Sequence, residues 1–172
     1  FGVRLIGGSC AISLPRAGAF GEIVGVGRTQ ATLDAAVERG VVDRACLLEA
    51  DWTREVRDAD VVLVAAPVAQ FPALFVAMAS AVGPRTVITD AGSTKQDVID
   101  AARGAFGPGW PRFVPGHPIA GTEHTGAAAA FAALFEGRNV ILTPGPGTAP
   151  DATTLIAAMW QANVTPVAVL ER

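Results

Sequence analysis

The stretch Thr86-Val87-Ile88-Thr89-Asp90-Ala91-Gly92-Ser93-Thr94-Lys95 places an apolar, β-branched run directly before a glycine and several polar side chains. A second stretch has the same plan, with Phe113-Val114 shortly before His117-Pro118-Ile119-Ala120-Gly121-Thr122-Glu123. In open α/β sheets, ligands bind at the carboxyl ends of the strands. We therefore predict an α/β fold in which both stretches lie at one edge of the sheet and carry the chemistry.

The composition restricts the class of protein. The 172 residues are 51% hydrophobic and 17% charged, which excludes a disordered chain and suits one domain. A net charge of −3 argues against a nucleic-acid partner, because phosphate binding needs a basic surface. No apolar run approaches the ~20 residues of a membrane span, and no signal peptide is recognisable. With only Cys10 and Cys46, we expect a reducing cytoplasm and no disulfide framework.

Short apolar runs alternate with helical patterns along the chain. The predicted strands are Ile23–Val26, Val61–Ala65, Thr86–Thr89, Phe113-Val114, Val140–Leu142 and Val164–Val169. The predicted helices are Ser9–Ala17, Ala31–Arg39 (with Thr29 as N-cap), Phe71–Val82, Gln96–Phe106, a small helix Ala127–Ala133, and Asp151–Gln161. This alternation predicts right-handed crossovers and a Rossmann-like, doubly wound, mostly parallel sheet with helices on both faces.

The opening stretch, Phe1-Gly2-Val3-Arg4-Leu5-Ile6-Gly7-Gly8-Ser9, has the pattern of a dinucleotide-binding turn, G-x-G-x-x-G. Gly2 and Gly7 have the spacing of the first and third glycines, and Arg4 stands in place of the second. The strand that should precede such a turn is expected to be largely missing, apart from Phe1. Arg4 either crowds an approaching pyrophosphate or offers it a charge. A purely structural glycine turn is the alternative to a cofactor loop.

The first predicted strand ends at Gly27-Arg28-Thr29. Rossmann domains that prefer NAD carry an acidic residue in this region, which binds the ribose 2′-hydroxyl. Without a carboxylate to repel a 2′-phosphate, Arg28 is a candidate partner for that group, which favours NADP. The alternative is a solvated arginine at a strand end.

Five ordered motifs together resemble the prephenate/arogenate dehydrogenase family. They are the glycine loop Leu5–Ser9, the strand and loop Asp60–Val68, the two stretches Asp90–Lys95 and His117–Glu123, and Leu134–Arg138 with Leu142–Pro144. The resemblance implies oxidative decarboxylation of prephenate or arogenate, with hydride transfer to NAD or NADP.

The resemblance also implies roles for individual residues. His117 would accept the proton of the substrate hydroxyl, which a neutral imidazole can do near pH 7. Ser93 would orient that hydroxyl or His117, and Glu123 would lie at the mouth of the pocket. The implied cofactor-binding residues are Gly2, Leu5, Ile6, Gly7, Arg28, Thr29, Ala66, Pro67 and Val68, of which Pro67 and Val68 would flank the nicotinamide. No metal site is expected, since His117 and His124 lack a third ligand.

Structural roles are the alternatives to these functional ones. His117 would then brace the Pro118–Gly121 turn, and Ser93 and Thr94 would cap the following helix. We expect Lys95 to be a solvated cation in the first turn of that helix, and Asp90 to orient its own loop.

The resemblance further implies a C-terminal helical domain, which in the family forms the dimer and supplies an arginine for the substrate carboxylates. We expect residues 1–172 to be the nucleotide-binding domain without that helical domain, inactive when isolated, and to dimerise only through the domain that is absent. Two other interpretations stay open. One is a nucleotide-binding module without activity, and the other is a Rossmann dehydrogenase of the β-hydroxyacid type.

Overall fold

The computed structural model describes residues 1–16, 21–107, 110–121, 129–162 and 166–170. The strands are β1 (Val24–Gly27), β2 (Arg44–Leu47), β3 (Val61–Val64), β4 (Val87–Asp90), β5 (Phe113–Val114), β6 (Gly116–Pro118), β7 (Val140–Leu142) and β8 (Val167–Val169). The helices are α1 (Leu5–Arg16), α2 (Gln30–Glu38), α3 (Thr53–Asp58), α4 (Phe71–Ala79), α5 (Lys95–Phe106) and α6 (Pro150–Gln161). Short 3₁₀ helices lie at Val68–Gln70 and Ala132–Phe135.

The strand pairing among the described residues is mostly parallel. Parallel ladders join β1 to β2, β3 to β4, β4 to β5, and β7 to β8. The β6–β7 ladder is antiparallel and pairs His117 with Ile141. These ladders form three sheets, ordered β1-β2, β3-β4-β5 and β6-β7-β8. The predicted α/β class with mostly parallel strand pairing is therefore confirmed.

Alternate residues of β3 and β4 point to opposite faces of the sheet, as the strand period requires. Val62, Val64 and Ile88 pack in one core cluster with apolar residues of α3, α4 and α5. Val61, Leu63 and Val87 pack in a second cluster with apolar residues of α1 and α6. Helices therefore cover both faces of the sheet, as predicted.

The centre of the first cluster is α4, whose buried residues Phe71, Leu74, Phe75 and Met78 recur at helical spacing. The Phe75 ring is fully buried and lies 5.3 to 5.5 Å, centroid to centroid, from the rings of Phe71, Phe106 and Phe113. This aromatic packing joins α4 to α5 and β5. No helix in the described part of the chain is long and apolar enough to cross a membrane.

Several element boundaries differ from the predictions. Helix α1 begins at Leu5, not Ser9, because the glycine turn leads directly into the helix. Helix α4 ends at Ala79, three residues before the predicted end. Strand β8 begins at Val167, and residues 164–165 of the predicted strand lie outside the described residues. The predicted helix Ala127–Ala133 lies partly outside them too, and a 3₁₀ helix occupies Ala132–Phe135.

Two strands and one α-helix of the described residues were not predicted. Strand β2 is half-exposed and has no apolar run, and α3 has six residues with only Val56 buried, too few for a helical pattern. Strand β6 consists of Gly116, His117 and Pro118. Gly, Pro and polar residues are not typical of strands, so pairing with β7 determines this one.

Phe1 and Gly2 lie between β1 and β3. The Phe1 amino group donates to Leu63 O (2.7 Å), and Ala65 N–H donates to Phe1 O (2.8 Å). On the other side, Gly2 N–H donates to Val26 O (2.9 Å). A groove of about 670 Å³, lined by both strands, continues from these two residues. The expectation that the strand before the glycine turn is largely missing, apart from Phe1, stays a prediction.

Candidate active site

The glycine turn packs closely against the end of β3. Gly2 has φ +89°, and a Cβ atom at this position would lie 2.6 Å from Ala65 O and 3.0 Å from Ala66 N. A Cβ atom at Gly7 would lie 2.4 Å from Gly2 O. Both positions therefore require glycine. The predicted cofactor residues Gly2, Gly7 and Ala66 are brought together by the fold.

The start of α1 offers backbone N–H groups at this turn. Gly8 N–H makes the first helical bond, to Arg4 O (2.7 Å), so the N–H groups of Leu5, Ile6 and Gly7 have no partner within the helix. Such a helix start, with the positive end of the helix dipole, suits a phosphate group. The Leu5 side chain is buried in the core, so only its backbone is available to a ligand. Arg4 is exposed.

The end of β1 lies beside the same turn, since Gly2 N–H bonds to Val26 O. Arg28 and Thr29 follow two and three residues later, and both are exposed. Thr29 occupies the predicted N-cap position of α2 but makes no side-chain capping bond. Its hydroxyl donates instead to Thr32 Oγ1 (2.7 Å).

The loop after β3 contacts the loop after β4. Pro67 is exposed, and Val68 begins a 3₁₀ helix. A Cβ atom at Gly92 would lie 3.1 Å from Val68 Cγ2 and 3.1 Å from Asp90 Oδ2. Glycine at position 92 therefore lets these two loops, and the predicted nicotinamide-flanking residue Val68, pack together.

A buried ion pair occupies the end of β4. The Asp90 carboxylate is wholly buried and accepts hydrogen bonds from Gly92 N–H (2.7 Å), Gly116 N–H (3.1 Å) and Lys95 Nζ. Lys95 Nζ also donates to Gly116 O (2.6 Å). Burial raises the pKa of Asp90 and lowers that of Lys95, and each charge opposes the other's shift. Asp90 does orient its own loop, as expected.

The prediction that Lys95 is a solvated cation is wrong, because only 11% of its side chain is exposed. Lys95 is buried because its Nζ atom donates a hydrogen bond to the carbonyl oxygen of Gly116, a residue far along the chain. The available signal was a glycine directly before the candidate histidine, with an acidic and a basic residue at the ends of the preceding polar stretch.

His117 lies within strand β6 rather than in a loop after a strand. Its side chain is half-buried. Burial lowers the pKa of His117, and the nearby Lys95 cation lowers it further, while Asp90 opposes the shift. The imidazole is therefore neutral near pH 7 and able to accept a proton.

The structure gives less information on the remaining predicted site residues. Ser93 is exposed in the turn between β4 and α5. Thr94 is the N-cap residue of α5 but makes no side-chain capping bond, so the capping alternative for it is wrong. Glu123 and His124 lie outside the described residues. Within the described ranges, no group of three or more His, Cys, Asp or Glu side chains is arranged to hold a metal ion.

Residues 10–168 match the family model of the prephenate dehydrogenase nucleotide-binding domain. The chain belongs to this family. Among the relatives of this nucleotide-binding domain, prephenate dehydrogenase of Bacillus subtilis (strain 168) is 38% identical over 149 residues. The match covers 86% of this chain and 39% of the Bacillus protein, so the chain spans about two fifths of that relative's length.

Two solved structures of related dehydrogenases superpose closely on this nucleotide-binding domain. Prephenate dehydrogenase from Aquifex aeolicus, in complex with hydroxyphenyl propionate and NAD+, has a TM-score of 0.85 at 31% identity. Synechocystis arogenate dehydrogenase has a TM-score of 0.87 at 27% identity. Each match covers 99% of this chain, and 57% and 58% of the two solved chains. The Rossmann-like fold and the predicted family are thereby confirmed.

Proposed function

We propose that this chain is the nucleotide-binding part of a dehydrogenase that oxidises prephenate or arogenate with NAD or NADP, and that His117 is its proton acceptor. The observation that carries the proposal is the convergence of four segments at one edge of the sheet. These are the glycine turn, the loop after β3, the Asp90–Lys95 loop, and the strand that holds His117. Family membership supports the same assignment.

The residues at the glycine turn fit a dinucleotide. Gly2 and Gly7 leave no room for a Cβ atom, so the turn packs tightly at the start of α1. The first-turn N–H groups of Leu5, Ile6 and Gly7 would bind the pyrophosphate. Arg28, in a strand-end stretch (Gly27–Thr29) that contains no acidic residue, would pair with the 2′-phosphate of NADP. When bound, the nicotinamide would supply the hydride acceptor.

His117 would perform the acid–base part of the reaction. In this oxidation the ring carbinol loses a hydride and its hydroxyl loses a proton, and the ring carboxylate leaves as carbon dioxide. The half-buried imidazole is neutral near pH 7, which lets it take the hydroxyl proton. Ser93, exposed in the stretch between β4 and α5, would orient the hydroxyl or the imidazole. Glu123 at the pocket mouth stays a prediction.

The partners of the whole protein are also proposals. A small carboxylic acid is the proposed substrate, and homodimer formation through a helical domain is the expectation that follows from the family. The reducing cytoplasm expected from the sequence stays a proposal.

The test combines binding and turnover. Calorimetric titration of the chain with NAD and with NADP should show saturable binding. In an active enzyme that contains this chain, His117→Asn should keep cofactor affinity and lower turnover about 10²–10⁴-fold, the usual contribution of a general base. Ser93→Ala should lower turnover less, since the proton acceptor remains.

Two results would contradict the proposal. If a folded chain binds neither NAD nor NADP, the nucleotide-binding role is refuted. A His117→Asn enzyme with a lower melting temperature but unchanged turnover per folded molecule would mean that His117 only braces the Pro118–Gly121 turn.

A further inference from the structure

The buried Asp90–Lys95 pair grips both polar groups of Gly116, the residue before His117. Asp90 Oδ1 accepts from Gly116 N–H (3.1 Å), and Lys95 Nζ donates to Gly116 O (2.6 Å). The Gly116 carbonyl belongs to the peptide bond that leads into His117. The Lys95 hydrogen bond therefore acts directly on the Gly116–His117 peptide group.

These side-chain hydrogen bonds to Gly116 lie where the backbone pairing of β4 with β5 ends. The β4–β5 ladder ends at the pair Thr89 and Val114, and Asp90 is the next residue of β4. A Cβ atom at Gly116 would lie 2.8 Å from Asp90 O, so the two backbones are in close contact. On the opposite side, Gly116 and His117 pair with Leu142 and Ile141 of β7. The backbone that leads into His117 is thus held between the β6–β7 ladder and the charged pair.

We propose that Lys95, held by Asp90, is a positioning residue that fixes the Gly116–His117 peptide and so aims the imidazole of His117 toward its substrate. The proposal rests on the proposed role of His117 as proton acceptor. Packing alone does not call for charged residues at this place, because apolar side chains of similar volume often replace buried ion pairs in proteins without loss of stability.

The pair also influences protonation of the imidazole. Among the described residues, Asp90 and Lys95 are the charged groups that shift the pKa of His117. Lys95 lowers this pKa by more than Asp90 raises it. Loss of the cation should therefore raise the pKa of His117, even where Asp90 takes up a proton in response.

The test is an NMR titration of the chain with Lys95→Met. The chain has two histidines, so His117→Asn assigns the two imidazole signals. We expect the pKa of His117 to rise and the amide signals of Gly116 and His117 to shift, with NAD affinity unchanged. In an active enzyme containing the chain, kcat should fall on the order of 10²-fold with little change in KM, as for a misplaced reacting group.

Arg103→Met is the matched control, because Arg103 is an exposed cation in the last turn of the same helix. This substitution also removes one positive charge, but at a position about 12 Å from Lys95 along the helix axis. The distance follows from a rise of ~1.5 Å per residue. An unchanged His117 pKa and unchanged amide signals in Lys95→Met, as in Arg103→Met, would overturn the proposal.

A double variant and the His117→Asn enzyme keep the outcomes distinct. If Lys95→Met does not fold, Asp90→Asn/Lys95→Met leaves no uncompensated charge and receives the same measurements, with the same expectations. Unchanged turnover in His117→Asn would refute the proposed function. Lost turnover in His117→Asn with unaffected turnover and pH profile in Lys95→Met would refute only the positioning role.

Discussion

Replacing Gly7 by alanine should destabilise the protein, although alanine is the better helix former. Gly7 lies in the first turn of α1, and Gly→Ala in a helix interior is favourable by up to ~1 kcal/mol from propensity alone. At Gly7 the new Cβ atom would meet Gly2 O at 2.4 Å and Ala65 Cβ at 3.1 Å. Relief requires movement of the glycine turn itself, because Gly2 O is a backbone atom.

The matched control is Gly104→Ala in α5. A Cβ atom there meets no atom within 4 Å, so the propensity gain should be retained in full. Overpacking costs about 1–3 kcal/mol in compact proteins. We therefore expect the two variants to differ by about 1–3 kcal/mol in the free energy of unfolding, with Gly104→Ala above the parent. In thermal melts this is a separation on the order of 2–12 °C.

Urea unfolding at constant m-value measures the difference, and calorimetric titration measures NAD affinity. Gly7→Ala should also weaken NAD binding, since the displaced turn adjoins the first-turn N–H groups of α1, whereas Gly104→Ala should not. Equal or greater stability of Gly7→Ala relative to Gly104→Ala would show that the turn accommodates a side chain, and the close-packing argument would then be wrong.

Two further predictions concern the cofactor and the core. Arg28→Ala should weaken NADP binding about 10- to 100-fold, the scale of a charge-assisted hydrogen bond, and spare NAD. Calorimetry with both cofactors checks this, and equal losses would mean that Arg28 does not contact the 2′-phosphate. Phe75→Ala should cost about 3–5 kcal/mol of stability, because the buried ring leaves a cavity among three other aromatic rings. Val76→Ala, its neighbour with 65% exposure, should change stability by less than about 0.5 kcal/mol in the same urea assay.

Elements with a local signal were predictable. Strands β5 and β7 have the predicted bounds, and α5 and α6 each begin one residue before the predicted start. Their apolar runs and helix boundaries are encoded by adjacent residues, so neighbouring sequence suffices. The polar strand ends that suggested a ligand edge are also local features, and with the glycine pattern they were enough to suggest the family.

The elements that the sequence did not predict depend on pairing between residues far apart along the chain. Strand β2 is half-exposed, and β6 contains Gly116, His117 and Pro118, so neither has a sequence pattern of its own. Their conformation depends on hydrogen bonds to strands whose position the local sequence does not reveal. The same reason explains the missed burial of Lys95.

The sequence by itself determined the α/β class, the glycines of the turn and the identity of the candidate base. The tertiary structure alone decided which residues hold that base and in which direction its pKa is shifted. Asp90 meets Gly116 across 26 residues of chain, and Lys95 meets it across 21. The pKa of His117 falls through burial and through the Lys95 cation, and both effects depend on neighbours in space rather than on neighbours along the chain.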